Sequence, residues 1–194
     1  MTNISHNWLN NLQTLNLFTK DYSKKIHASK IARDLKLPQR TVSRKLNELN
    51  KLNLINYTHD GNNKLFYFDL KNKNHLDLLT LVEQIKSINF KLNYPKISIA
   101  LNELNSVSNI ILFGSYAKGI PTPESDIDLV VITNQQKECK KIIKKYPFNF
   151  SLHFISQNEL QKSLKTTLGI EIIKNHIFLS NIEKYTKLFI KWTK

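Results

Sequence analysis

An apolar run, Ile110-Ile111-Leu112-Phe113, stops at Gly114-Ser115, and a second apolar stretch, Ile127 to Thr133, begins immediately after Asp126. Continuous apolar runs bounded by turn residues read as buried strands, so Asn109–Phe113 and Ile127–Thr133 are expected to pack in one sheet. Such a chain must turn sharply at Gly114, where a missing Cβ permits close approach of other groups, and Ser115 adds a hydroxyl and an N–H. Asp126 and Asp128 stand two apart at the start of the second strand. That spacing puts both carboxylates on one face, about 6–7 Å apart along it. Asp128 also leads into Leu129-Val130-Val131-Ile132, where an unpaired charge is costly to bury. Two adjacent carboxylates repel unless a cation joins them. Mg²⁺ (or Mn²⁺) takes one or two carboxylates together with substrate phosphates, so this pair and the Gly-Ser turn predict a site for a nucleotide triphosphate and its metal.

Around these strands the periodicity alternates between helix and strand. Pro95 to Leu104 reads as a helix, and Gln135 to Tyr146 as a lysine-rich one. Phe148 to Ile155 reads as a third strand. Ser156 and Glu159 form a capping box opening a helix to Leu164, and helical segments follow to Trp192. On the third strand Phe148, Phe150, Leu152 and Phe154 share the core face, while Asn149, Ser151 and His153 take the face assigned to the site.

Gly114-Ser115, ten residues, then Asp126-x-Asp128 resembles the polymerase-beta-like nucleotidyltransferase superfamily. The form Gly-Ser-Tyr-Ala-Lys-Gly…Ser-Asp-Ile-Asp-Leu is similar to its minimal, prokaryotic branch. The resemblance covers about residues 95–160 and implies a nucleotide triphosphate substrate, with ATP the expected one, Mg²⁺, and transfer of a nucleoside monophosphate. Asp126 and Asp128 would be catalytic and hold the metal, Gly114 and Ser115 would bind the nucleotide, and Lys118 would reach a phosphate. The family has nucleic acid, protein and small-molecule acceptors, so the acceptor does not follow. The family also expects a third carboxylate on the following strand. That place falls nearest Ser151, and the sequence has no Asp or Glu between Glu138 and Glu159. Either His153 supplies the missing ligand or base, assisted by Asn149 or Ser151, or the site binds nucleotide without effective transfer.

Charge directs attention to the other end of the chain. The formal net charge of +14 favours an anionic partner. Residues 1–72 hold 12 Lys and Arg against 5 Asp and Glu, while residues 73–194 hold 17 against 10, so the shorter segment is the more densely charged. All three arginines, Arg33, Arg40 and Arg44, fall within it. The helical spacing of Trp8 to Phe18 is followed by a short helix at Ser29–Leu35, a turn at Lys36-Leu37-Pro38, and a third helix burying Val42, Leu46 and Leu49. The opposite face of that helix presents Gln39, Arg40, Ser43, Arg44 and Asn47. Leu54 to His59 and Lys64 to Leu70 alternate as strands around the turn Asp60-Gly61-Asn62-Asn63. This layout resembles a winged helix-turn-helix of the MarR or ArsR sort, which implies DNA as partner, read by those five residues with Lys64 on the wing.

The expected architecture is therefore α+β. An N-terminal winged helix-turn-helix (1–72) leads through a connecting helix (73–93) to a polymerase-beta-like nucleotidyltransferase α/β domain with C-terminal helices (94–194). The connecting helix is expected to start on an Asn74 cap and to bury Leu78, Leu81, Val82, Ile85, Ile88 and Leu92, bridging the domains or pairing two chains as a homodimer. A single cysteine, Cys139, excludes an internal disulfide framework. No apolar run approaches a membrane span, and Met1 to Asn11 lacks a signal-peptide layout, so a cytoplasmic protein is expected. Two functional classes follow: a transferase acting on a protein or nucleic acid, or a DNA-binding regulator or antitoxin with a degenerate nucleotide-binding domain and a toxin partner.

Overall fold

The computed structural model describes residues 12, 14–163 and 165–192. It is a mixed α+β structure that divides into two units, one running to Val82 and taking in Thr186 onward, the other spanning Glu83–Tyr185. Among the described residues no helix is long and apolar enough to cross a membrane.

In the first unit a 3-10 helix, Asn16–Lys20, precedes strand β1 (Ile26–His27), helix α1 (Ala28–Leu35), helix α2 (Gln39–Lys51) and strands β2 (Asn56–Asp60) and β3 (Asn63–Tyr67). Of the helix expected over Trp8–Phe18, residues 8–11 and 13 lie outside the described residues, and its end is the 3-10 turn. Lys36 takes a left-handed conformation (φ 53°) and its N–H bonds back onto α1, which stops that helix. Pro38 then precedes α2, whose Val42, Leu46 and Leu49 are all buried. Phe18, Tyr22, Ile31 and Phe66 of the same unit are buried as well. The hairpin closes through the two-residue loop Gly61-Asn62, with Gly61 at φ 55°. The sequence reading missed β1, which pairs antiparallel with β3 to give the order β1-β3-β2.

Helix α3 (Lys73–Asn93) follows. Its cap is Asn72 rather than the expected Asn74: the Asn72 side chain accepts from the Asn74 N–H at 3.0 Å. The buried face also differs from expectation. Leu78 and Val82 are buried, but Leu81, Ile88 and Leu92 are 37%, 54% and 72% exposed. Leu79, Glu83, Ser87 and Phe90 go inside instead. The reason is electrostatic. The Glu83 carboxylate is fully buried, 2.8 Å from Lys86 Nζ and 3.3 Å from His176 Nε2, and this cluster fixes the rotation of the helix.

The second unit holds a four-stranded sheet of order β6-β5-β4-β7. Its strands are β4 (Asn109–Leu112), β5 (Ile127–Ile132), β6 (Phe150–Ile155) and β7 (Ile177–Phe178). Helix α4 (Pro95–Leu104) precedes β4, and the short α5 (Gly114–Lys118) follows it. Helix α6 (Gln136–Ile143) is the crossover that makes β5 and β6 parallel, while the β4–β5 and β4–β7 pairs are antiparallel. Helices α7 (Gln157–Ser163), α8 (Thr167–Lys174) and α9 (Ile182–Trp192) complete the order. The α7 cap forms as expected: Glu159 Oε2 accepts from the Ser156 N–H at 2.9 Å, and the Ser156 hydroxyl accepts from the Glu159 N–H at 3.3 Å. One face of the sheet meets a core of Leu101, Leu104, Ile110, Leu112, Leu129 and Val131, with Phe148, Phe150, Leu152 and Phe154 packed against it. The other face is therefore left for Asp128, Ser151 and His153.

Candidate active site

The site begins where β4 ends. Phe113 is extended and its N–H donates to the Asp128 carbonyl at 3.0 Å, locking the end of β4 to the start of β5. Gly114 then turns the chain at φ 70°. A Cβ there would lie 2.0 Å from Asp128 Oδ2 and 2.9 Å from its Cγ. The backbone angle disfavours any side chain, and a Cβ would force the Asp128 carboxylate to move. Ser115 follows half-buried at the start of α5, and Gly119 (φ 75°) ends that helix in the left-handed conformation. The loop back to β5 is folded on itself, with the Ser125 hydroxyl accepting from the Thr122 N–H at 2.8 Å.

Asp126 lies one residue ahead of β5 and is exposed, whereas Asp128 lies within the strand and is half-buried, with Ile127 buried between them. Burial raises the Asp128 pKa, and the charges of Asp126 and Glu171 push in the same direction; a hydrogen bond from Ser151 and the proximity of His153 oppose them. The parallel register sets Asp128 opposite Ser151 and Val130 opposite His153. Ser151 is thus the β6 residue paired with Asp128, at the position where the sequence places the expected third acid. Its hydroxyl is 3.4 Å from His153 Nε2. The His153 ring meets Phe113 edge-on, with centroids 5.3 Å apart. It also borders a small apolar cavity of about 30 Å³ closed by Ile111, Val130, Leu160, Gly169 and Ile172.

Lys118 does not stand open toward the site. Its ammonium pairs with Glu171 Oε1 of α8 at 2.6 Å. Glu171 was not singled out from the sequence, although one signal was present: it is the sole acidic residue between Glu159 and Glu183. Among the described residues no three His, Cys, Asp or Glu side chains converge closely enough to hold a metal. A pair of carboxylates does meet the needs of Mg²⁺ when substrate phosphates complete its shell. The Asp128 carboxylate lies directly against Gly114, which brings the carboxylate and the Gly-Ser turn together.

In the other unit the residues expected to read DNA fall into two groups. Gln39, Ser43, Asn47 and Lys64 line one polar cavity of about 250 Å³. The Lys64 ammonium donates to Asn47 Oδ1 at 3.0 Å and lies 4.0 Å from the Tyr57 ring centroid, which ties the hairpin to α2. Arg40 and Arg44 stand outside that cavity, exposed on α2.

Comparison with known proteins accounts for the second unit. The family described as "Nucleotidyltransferase domain" matches residues 95–190. A protein of Methanocaldococcus jannaschii named "Putative protein adenylyltransferase" is 33% identical over 78 residues, which cover 37% of this chain and 77% of that protein. The chain belongs to the nucleotidyltransferase domain family. The family match extends beyond the approximate 95–160 span of the sequence resemblance to take in α8, β7 and most of α9. No solved structure matches the chain.

Proposed function

We propose that this nucleotidyltransferase binds a nucleoside triphosphate, ATP first among candidates, with Mg²⁺ and transfers its nucleoside monophosphate to a protein. The observation that carries the reading is the Asp128 carboxylate held against Gly114, so close that a Cβ on residue 114 would collide with it. Gly114 and the Ser115 hydroxyl receive the triphosphate, while Asp126 and Asp128 hold the cation. Mg²⁺ supplies neutralisation of the phosphates and helps orient the nucleotide for in-line attack. An acceptor hydroxyl attacks the α-phosphorus, a new O–P bond forms, the bond from that phosphorus to the bridging oxygen of the β-phosphate breaks, and pyrophosphate leaves. His153, beside Ser151 and Asp128, takes the proton of the acceptor. The printed name of the archaeal relative supports a protein acceptor over a nucleic acid one.

The N-terminal unit is proposed to be a DNA-binding winged helix that targets the transferase, with exposed Arg40 and Arg44 on phosphates or base edges and Gln39, Ser43, Asn47 and Lys64 beside them. A second reading, a DNA-binding regulator or antitoxin whose nucleotide domain does not catalyse, draws support from one observation: Ser151 stands where the family's third acid is expected. Incubation with labelled NTP, Mg²⁺ or Mn²⁺ and cell extract separates the two. Labelled protein that disappears with Asp128→Asn supports the transferase. ATP–Mg²⁺ binding with no label transferred supports the regulator. If His153→Ala transfers label at the wild-type rate, His153 is not the base.

A further inference from the structure

We infer that Lys118 and Glu171 are positioning residues: their ion pair holds the far end of helix α5, and through it Ser115, in place for the nucleotide. This role rests on the nucleotidyltransferase reading above, and it differs from contact with phosphate. Little else holds α5. The helix has five residues, Gly114–Lys118, and none of them is buried. Helices shorter than about 12–15 residues are marginal on their own, so tertiary contacts decide where this one sits. Its near end is fixed by the Phe113 N–H on the Asp128 carbonyl and by Gly114 against the Asp128 carboxylate. Midway, the Tyr116 ring meets Tyr94 edge-on, with centroids 5.2 Å apart. At the far end the chain turns through left-handed Gly119 to Ile120, which is 69% exposed. There the Lys118 ammonium donates to Glu171 Oε1 at 2.6 Å, reaching across 53 residues of sequence to helix α8.

Both partners are partly exposed, so water screens the pair and its contribution to global stability is small. Its effect is local. A short, exposed segment opens at low cost unless its last turn is tied down. Helix α8 is a firm anchor for it: the Thr166 side chain caps its start, accepting from the Gly169 N–H at 3.1 Å, and Ile172 is buried. Ser115 stands one turn before Lys118, and its carbonyl accepts from the Ile120 N–H at 3.1 Å, so displacement of the far end carries to Ser115. A lysine that bonded phosphate directly would be weakened by a carboxylate beside it. A lysine that acts by holding α5 depends on that carboxylate. The two roles give opposite signs for the loss of Glu171.

Binding of a non-hydrolysable ATP analogue with Mg²⁺ to the full chain, measured by calorimetry, reads that sign. Lys118→Met and Glu171→Ala should each weaken binding about 3–5-fold. The double variant should bind no more weakly than either single one, because both changes break the same bond. Glu171→Gln removes the same charge as Glu171→Ala but keeps an oxygen that accepts from Lys118, so it should recover most of the affinity. Urea midpoints should stay at the wild-type value in all four variants, which separates positioning from damage to the fold. Glu171→Ala binding the analogue as tightly as wild type, or more tightly, would overturn the inference. So would a double variant whose loss is the product of the single losses, a Glu171→Gln chain no better than Glu171→Ala, or affinity losses that track the urea midpoint. A wild-type chain that binds no nucleotide would instead overturn the nucleotidyltransferase reading on which this rests.

Discussion

The nucleotidyltransferase unit contains two acidic sites that handle charge in opposite ways. At Glu83 the carboxylate is fully buried, flanked by Lys86 and by His176, whose other ring nitrogen lies against the carbonyls at the end of α8. Burial would raise the Glu83 pKa, yet Lys86 and then His176 pull it down to about 2. At Asp128 the balance runs the other way. Burial and the neighbouring acids Asp126 and Glu171 hold the pKa above its ordinary value, and the group stays half open. A site that satisfies its own charge serves the fold. A site whose carboxylates raise one another's pKa is a candidate for function.

Breaking the closed site should have the largest effect on stability. Lys86→Met removes the ammonium paired with a buried carboxylate, and the expected loss is about 3–5 kcal/mol, read from the urea midpoint. Breaking the open site should do the reverse. Asp128→Asn is expected to cost about 10²–10³-fold in label transfer, yet to leave the melting temperature unchanged or raised, because it removes a charge that the fold disfavours. A clear fall in melting temperature for Asp128→Asn would erase the distinction between the two sites.

A smaller effect should appear on acidification. The His176 pKa is lowered from its ordinary value of 6.5, first by burial and then by Lys86. The unfolded chain therefore takes up that proton before the folded one does, and stability falls as pH drops through that value. Glu83 adds to the loss at lower pH, since the unfolded carboxylate protonates near its ordinary 4.5 while the folded one stays ionised to about 2. Urea midpoints measured from about pH 7 to pH 4 should decline throughout, and His176→Gln should flatten the upper part of the curve. Smallest is the effect at the N-terminal unit. Arg40→Ala with Arg44→Ala should weaken DNA binding and reduce its salt slope by about 2 without altering label transfer to a soluble acceptor.

Where the sequence was legible, local chemistry left few options. The apolar runs ending at Gly114 and starting after Asp126 marked strands β4 and β5 because the turn between buried strands is sterically tight. Val42, Leu46 and Leu49 marked their buried stripe because nothing interrupts the helical period. The strands Ile26–His27 and Ile177–Phe178 were not legible, since two residues carry no periodicity. The buried face of α3 was misread because Glu83 and Ser87 look like surface residues until Lys86 and His176 are brought to them. Glu171 escaped notice for a related reason: its partner Lys118 lies 53 residues away in sequence. Lys118 was expected on phosphate, and its ion pair with Glu171 could not be foreseen from spacing.

Gly114 has a further consequence, for the mutational history open to this chain. The collision with Asp128 arises at the first atom beyond Cα, so it does not depend on what the side chain is. In a saturation scan scored for transfer, Gly114 should give a flat profile, with alanine faring as badly as tryptophan. Removing the aspartate would relieve that collision but not the left-handed backbone, so two independent constraints keep glycine at this position.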